Sequence, residues 1–124
     1  MSVEFITNMH SDHDYLPATE FGALRPITSG NYPIFKTQRL LEEICDALHD
    51  STESDFLLFS GSSTIAGLAL SVWLGMHGRV NLLMFERRAG RQNYVARTLT
   101  QREILQAVEE ARSRREAARE SNKA

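Results

Sequence analysis

The chain has 124 residues, of which 42% are hydrophobic, and a formal net charge of −2 at pH 7. This length provides one domain with a hydrophobic core and is too short for two. The charge argues against a protein that binds duplex nucleic acid, because such proteins carry a strong basic excess. A small anionic ligand is not excluded, because it needs only a local cluster of arginines.

The sequence also excludes several cellular settings. It has no apolar run of about 18 residues for a membrane span, and its acidic, histidine-containing first residues do not form a signal peptide. Cys45 is the single cysteine and has no partner for an internal disulfide. We therefore expect a cytoplasmic protein that does not associate with a membrane.

The first third of the chain predicts little regular structure. Residues 1–6 alternate weakly and predict a short strand. His10 to Asp14 contains two histidines and two aspartates, but a flexible polar segment lacks the scaffold that fixes metal ligands, so we predict a solvated loop and no metal site. Residues 16–33 hold all three prolines and predict an ordered loop with one short strand, Leu24 to Ile27.

Loops of this length inside a compact domain are uncommon unless they bind something. Arg25 and the turn Gly30-Asn31-Tyr32 are therefore candidate ligand-binding residues. The first clear helix follows at Gln38 to His49, with Thr37 as its predicted N-cap. One apolar stripe identifies it, formed by Leu40, Leu41, Ile44, Cys45 and Leu48.

The central motif is an apolar run, Phe56 to Phe59, followed by a loop of small hydroxyl-bearing residues. The run predicts a strand buried on both faces, and the loop leads into a helix, Ser63 to His77. The first N–H groups of a helix have no partner inside it, so this loop is a candidate anion site. The alternative is that Ser62 or Ser63 only caps the helix. The candidate residues are Ser60, Gly61, Ser62, Ser63 and Thr64.

This second helix is apolar nearly all round, which requires cover on every side. A sheet hides one stripe, so another helix or a second protomer must hide Leu70, Trp73 and Leu74, and we expect a homo-oligomer. Gly78 is placed to end the helix, and Val80 to Phe85 predict a second strand buried on both faces. Strand, helix and strand together predict a parallel βαβ unit.

A hairpin and a final helix complete the predicted fold. Glu86 to Gln92 predicts a turn with Gly90 at its tip, and Asn93 to Leu99 an antiparallel return strand. On that strand Arg97 falls on an apolar face, which requires a carboxylate or an anionic ligand as its partner. Thr100 begins a capping box for the last helix, whose residues 112–124 predict a polar extension or tail.

These elements predict one α/β domain with a βαβ unit, an antiparallel hairpin strand and a C-terminal helix. Ligands of open α/β sheets bind at the carboxyl ends of the strands, where Ser60 to Ser63 lie, and arginines reaching that loop would complete a phosphate site. Tyr94, Tyr32 and Phe35 are candidates for stacking a base, although Phe35 is more simply interpreted as a core anchor. The sequence contains no nucleophile motif, so we predict a binding protein without catalytic residues or cofactor.

The runs Asp55 to Ser62, His77 to Leu83 and Tyr94 to Arg97 resemble small phage-encoded proteins. More specifically, they resemble the anti-Thoeris sponge proteins, which trap cyclic ADP-ribose or cyclic oligonucleotide signals in homo-oligomers without cleaving them. That resemblance implies sequestration of a nucleotide signal in the host cytoplasm. A second resemblance, through Thr64-Ile65-Ala66, is to viral proteins that degrade cyclic oligoadenylate, which implies a nuclease. The competing class is a structural or interaction protein in which the serines only cap a helix.

Overall fold

The computed structural model describes residues 2–11, 13–88 and 91–123 and shows one α/β domain with a mixed five-stranded sheet. The sheet order is β2-β1-β3-β4-β5, in which the first four strands are parallel and the last is antiparallel. The strands are β1 (Val3–Met9), β2 (Ala23–Ser29), β3 (Phe56–Leu58), β4 (Arg79–Arg88) and β5 (Arg91–Thr100). A 3-10 helix (Leu16–Phe21) joins β1 to β2, and the α-helices are α1 (Thr37–Ala47), α2 (Ser63–His77) and α3 (Gln101–Asn122).

This architecture confirms the predicted fold class. β3, α2 and β4 form the parallel βαβ unit, β5 is the antiparallel hairpin strand and α3 is the C-terminal helix. Gly78 ends α2 in the left-handed conformation, with φ of 68°, and its N–H donates to the Leu74 carbonyl. The predicted turn tip at Gly90 lies outside the described residues.

β1 is an interior strand of the sheet, paired on both sides, which its weak alternation did not indicate. It pairs with β2 on one side and with β3 on the other, so that Phe5 lies between Arg25 and Leu57. The buried Asp55 carboxylate helps to fix this pairing, because it accepts hydrogen bonds from the N–H groups of Val3 (2.9 Å) and Thr52 (2.8 Å). β1 therefore enters the sheet beside β3.

The two faces of the sheet have different covers, because successive strand residues point to opposite sides. On one face, α1 and α2 pack over Phe5, Leu57 and Val80. On the other, the 3-10 helix packs over Ile6 and Leu58. The larger core cluster consists of Phe5, Leu40, Ile44, Leu48, Leu57, Ile65, Ala69, Trp73 and Val80.

Contacts within the chain cover much of the apolar surface of α2 that suggested a second protomer. Trp73 is fully buried and packs edge-on against Phe5, with 5.7 Å between the ring centroids. Leu70 and Leu74 are partly buried against the same core. The argument for a homo-oligomer through α2 is thus weakened, and the oligomer itself stays a prediction.

Four local predictions are wrong. The predicted strand Phe56 to Phe59 ends at Leu58, and Phe59 is 44% exposed, so this run is not buried throughout. Thr37 is the first residue of α1 and Lys36 is its N-cap, so Thr37 is not the cap. The strand Val80 to Phe85 is not buried throughout, because Met84 and Phe85 are exposed. Phe35 is 94% exposed and is no core anchor. Met84 shares the face of Val80 and lies beyond the part of the strand that α2 covers, whereas Phe85 lies on the opposite face, beside His13 and Tyr94.

Glu4 is an unexpected charged residue inside the sheet. Its side chain is fully buried, and neither carboxylate oxygen has a hydrogen-bond partner among the described residues. Its register partners are the apolar residues Leu24 and Phe56, and Phe21 packs edge-on against Phe56. Burial raises the pKa of Glu4 to about 7; the backbone of Phe21 opposes this rise and the charge of Glu20 adds to it.

α3 projects from the domain. Thr100 caps it as predicted, since the Thr100 hydroxyl accepts a hydrogen bond from the Glu103 N–H at 3.1 Å. Every residue of the helix is exposed, and its first turns contact the domain at β5, so little tertiary packing supports it in the single chain. In the described part of the chain, no helix has the length and apolar character needed to cross a membrane.

Candidate functional site

A cleft of about 550 Å³ lies beyond the carboxyl ends of β1, β2 and β3. The strand order changes direction here, since β2 lies on one side of β1 and β3 on the other. Open α/β sheets bind ligands at such a point, because the loops after the two neighbouring strands diverge and leave a crevice. The cleft is lined by Asn8, His10, Gly30, Asn31, Tyr32, Pro33, Ile34, Gly61 and Ser62.

The loop after β3 is held against β1 by two side-chain hydroxyls. Thr7 Oγ1 donates to the carbonyl of Ser60 and accepts from its N–H, both at 2.9 Å. The Ser60 hydroxyl lies 2.7 Å from the Tyr15 hydroxyl, which accepts a hydrogen bond from the N–H of His10 at 2.9 Å. One wall of the cleft is therefore fixed before any ligand binds.

A second network fixes the loop after β2. The Thr28 hydroxyl lies 2.7 Å from the Thr7 carbonyl and 3.1 Å from Asn8 Oδ1, so it bridges the two. The N–H of Gly30 donates to the Met9 carbonyl at 3.0 Å. Asn8 Nδ2 lies 3.4 Å from His10 Nε2, which aligns these two side chains along the cleft.

Gly61 places the start of α2 at the cleft. Its φ of 74° is a left-handed conformation, and a Cβ there would collide with the side chains of His10 and Asn8. The Ser62 hydroxyl then accepts from the Ile65 N–H at 3.4 Å, as expected of an N-cap. The N–H groups of Ser63 and Thr64 have no partner inside the helix.

The structure brings some of the predicted site residues together. Asn31 lines the same cleft as Gly61 and Ser62, although about thirty positions separate them along the chain. Ser63 and Thr64 follow as the first exposed residues of α2. Ser60 is bound to Tyr15 beside the cleft and does not line it.

The two predicted arginines lie elsewhere. Arg25 forms an ion pair with Asp50, in which Nη1 donates to both carboxylate oxygens at 2.9 Å, and its guanidinium lies over the Phe5 ring. Arg97 is exposed, and its guanidinium donates to the carbonyl of Ala96 at 2.8 Å. The expectation that Arg97 is a buried charge in need of a partner is therefore wrong, because α2 does not extend over β5.

Arg97 is also displaced from the β3 loop within the sheet. Its register partner is Leu82 on β4, which pairs with Leu57 on β3, so Arg97 lies two strands away from β3 and level with a residue before the loop. The expectation that an arginine reaches the Ser60 to Ser63 loop and completes a phosphate site is therefore not met by Arg97.

Tyr94 belongs to an aromatic cluster on the face of the 3-10 helix. It is buried, and its hydroxyl lies 2.8 Å from His13 Nε2. His13 packs edge-on against Tyr15 and Phe85. Burial, with the nearby Tyr15, Asp14 and Glu4, raises the pKa of Tyr94. The Tyr94 side chain therefore packs against side chains of its own chain, namely His13 and Phe85.

A second pocket of about 480 Å³ adjoins the cleft, and Tyr32 and Pro33 line both. Its remaining lining residues are Phe35, Lys36, Arg39, Leu40 and Glu43. Phe35 presents an almost fully exposed ring there, beside two cationic side chains. Arg39 also approaches Glu43, at 3.4 Å on the surface of α1.

Sequence reasoning missed Asn8 and His10 as cleft residues. The available signal was a polar pair two positions apart at the end of a strand, but its use required the knowledge that β1 lies beside β3. Among the described residues, no group of three or more His, Cys, Asp or Glu side chains is placed to hold a metal ion. Asp12, part of the histidine segment considered for metals, lies outside the described residues.

Comparison with known proteins gives one match. A family model described as "Phage Pam3 gp32-like protein" matches residues 4–99, which include all five strands except the ends of β1 and β5. No curated protein and no solved structure matches the chain.

Proposed function

The chain belongs to the phage Pam3 gp32-like protein family, and we propose, from the cleft described above, that this phage protein binds a small phosphorylated nucleotide without cleaving it. The ligand occupies the cleft beyond β1 and β3, and the prebuilt crevice at the change of strand order is the observation that carries the proposal. Sequestration of a cyclic ADP-ribose or cyclic oligonucleotide signal is the specific form that we propose.

The phosphate part is recognised by polar groups that already face the cleft. The start of α2 supplies backbone donors and the positive end of the helix dipole. Asn8 and Asn31 add amide groups, and His10 adds an imidazole ring. A phosphate bound there accepts several hydrogen bonds but meets little positive charge. We therefore expect a modest affinity for each phosphate group.

The nucleoside part is recognised in the adjoining pocket. Tyr32 connects the two cavities, so a ligand with its phosphate at Ser62 reaches this pocket directly. The exposed Phe35 ring offers a stacking surface, and base stacking on an aromatic side chain contributes about 1–3 kcal/mol. Lys36 and Arg39 provide the positive charges that the cleft itself lacks.

The hydroxyl contacts support binding rather than hydrolysis. Ser60 pairs with the hydroxyl of Tyr15 instead of an imidazole, and His13 pairs with Tyr94. A serine nucleophile needs a general base within hydrogen-bond reach, and the hydrogen-bond partner of the Ser60 hydroxyl is a phenol, which is no such base. A serine–imidazole contact does occur away from the cleft, where the Ser51 hydroxyl lies 2.8 Å from His77 Nε2 at the C-terminal end of α2. The Ser51 hydroxyl donates its proton to the Leu48 carbonyl at 2.6 Å, so this contact does not support the nuclease alternative.

A thermal-shift panel tests the proposed function. The probes are cyclic ADP-ribose, linear ADP-ribose, a cyclic dinucleotide, a cyclic trinucleotide and inorganic phosphate. A ligand at one hundred times its dissociation constant adds about 2.7 kcal/mol of stability, or roughly 10 °C in a chain of this size. We expect one nucleotide to produce such a shift and to be recovered intact by phosphorus NMR. Cleavage of the probe supports the nuclease, and no shift with any probe supports a structural protein.

Removal of the α2 cap separates capping from binding. Ser62→Ala should lower the free energy of unfolding by about 1 kcal/mol through loss of the N-cap, and weaken nucleotide binding severalfold. Thr100→Ala is the matched control, because it removes the cap of α3 at a distance from the cleft. It should cost similar stability and leave affinity unchanged. Equal loss of affinity in both variants, measured by calorimetry, contradicts a role for Ser62 in the site.

A further inference from the structure

α3 is a helix of 22 residues with no buried side chain. At 1.5 Å per residue it extends about 33 Å, and helices of this kind are normally stabilised by packing an apolar face. Its first turns carry such a face, since Ile104, Leu105 and Val108 are 37%, 59% and 42% exposed. Leu99, at the end of β5, adds a further 40% exposed side chain next to them.

The spacing of the stripe matches a helix-pairing seam. Ile104, Val108, Ala111, Arg115 and Ala118 recur at alternating four- and three-residue steps, the repeat that brings one side of a helix against a second helix. The small residues Ala111 and Ala118 permit close approach, and the stem of Arg115 can lie along apolar surface with its charge in water.

The charges of α3 are divided along its length. Residues 101–111 carry three glutamates against one arginine, whereas residues 112–123 carry five basic residues against two glutamates. A parallel pair would place like charges side by side. An antiparallel pair would place the acidic half of each helix against the basic half of the other.

We propose that α3 pairs antiparallel with α3 of a second copy of this chain. With the helices crossing at Ala111, Glu109 lies on the same side of the pair as the partner's Arg112, and Glu110 on the same side as the partner's Arg114. Opposite charges at flanking positions set the orientation of paired helices, while the apolar seam supplies the affinity. This surface is separate from the cleft and from α2.

Sedimentation equilibrium at micromolar concentrations tests the pairing. We expect twice the 14.0 kDa mass of one chain for the wild type, and the mass of one chain for Ile104→Asp combined with Val108→Asp. Leu16→Asp, which alters an exposed apolar residue on the 3-10 helix, should stay dimeric. A wild type with the mass of one chain, or a dimer that survives the double substitution, overturns the proposal. Circular dichroism distinguishes loss of the dimer from unfolding of the domain.

A charge exchange tests the antiparallel orientation. Arg114→Glu places like charges beside each other at two symmetric positions, against the partner's Glu110, and should weaken dimerisation about tenfold. Adding Glu110→Arg to the same chain restores opposite charges and should return the dissociation constant close to that of the wild type. A second substitution that fails to restore the dimer overturns the antiparallel arrangement.

Discussion

Replacing Glu4 with glutamine should raise the free energy of unfolding by about 2 kcal/mol at pH 8. The buried carboxylate has a pKa raised from 4.5 to about 7, so the folded protein at pH 8 holds a negative charge away from water. The whole difference in pKa corresponds to roughly 3 kcal/mol. Local relaxation and water entry reduce that penalty, and glutamine keeps the shape of the side chain.

The pH dependence of stability identifies Glu4 as the cause. Between pH 4.5 and 7 the unfolded chain loses this proton first, so the folded state binds more protons and the stability of the wild type falls as pH rises through this window. Below pH 4.5 both states are protonated and the effect vanishes. In Glu4→Gln the fall should be absent. Parallel urea-unfolding profiles for the two proteins from pH 5 to 8 would contradict the buried, unpaired carboxylate.

Replacing Gly61 with alanine should reduce nucleotide affinity at least tenfold. The new Cβ would collide with the side chains of His10 and Asn8, so these residues must move from the positions in which they line the cleft. The left-handed conformation at Gly61 adds about 1–2 kcal/mol of strain and lowers stability as well. Calorimetric titration with the nucleotide that shifts the melting temperature measures the loss.

Gly78→Ala is the control for backbone strain. Gly78 has a similar left-handed φ of 68°, and a Cβ there would meet no atom within 4 Å. This variant should lose comparable stability and bind nucleotide as the wild type does. If both glycine variants lose affinity equally, the effect comes from general destabilisation and the cleft at Gly61 is not the site.

Much of the fold follows from two apolar runs. The central segments around Phe56 and Val80 each needed cover on two faces for at least part of their length, and that requirement predicts the parallel unit around α2. The interior position of β1 in the sheet was not predictable in the same way. Its buried residues include Glu4, Thr7 and Asn8, whose polarity is typical of exposed positions. Their burial depends on neighbours that are remote in the sequence.

The candidate site was predictable only in part, for a similar reason. The small hydroxyl residues after β3 indicate a helix start, and the long loop after β2 indicates a binding segment, so Ser62 and Asn31 were both identified. His10 was not, because its approach to Gly61 follows from strand order. Arg97 was misplaced because alternation along β5 gives the face of a side chain but not the extent of the helix that covers it.

The central claim is that a nucleotide binds beyond the carboxyl ends of β1 and β3. An amide NMR titration of the full chain with the panel nucleotides tests it most directly. We expect the largest shift changes at His10, Asn31, Gly61 and Ser62, smaller ones at Phe35 and Lys36, and none at Arg97. Changes confined to α3 or β5, or a spectrum unchanged by every nucleotide at millimolar concentration, would contradict the claim.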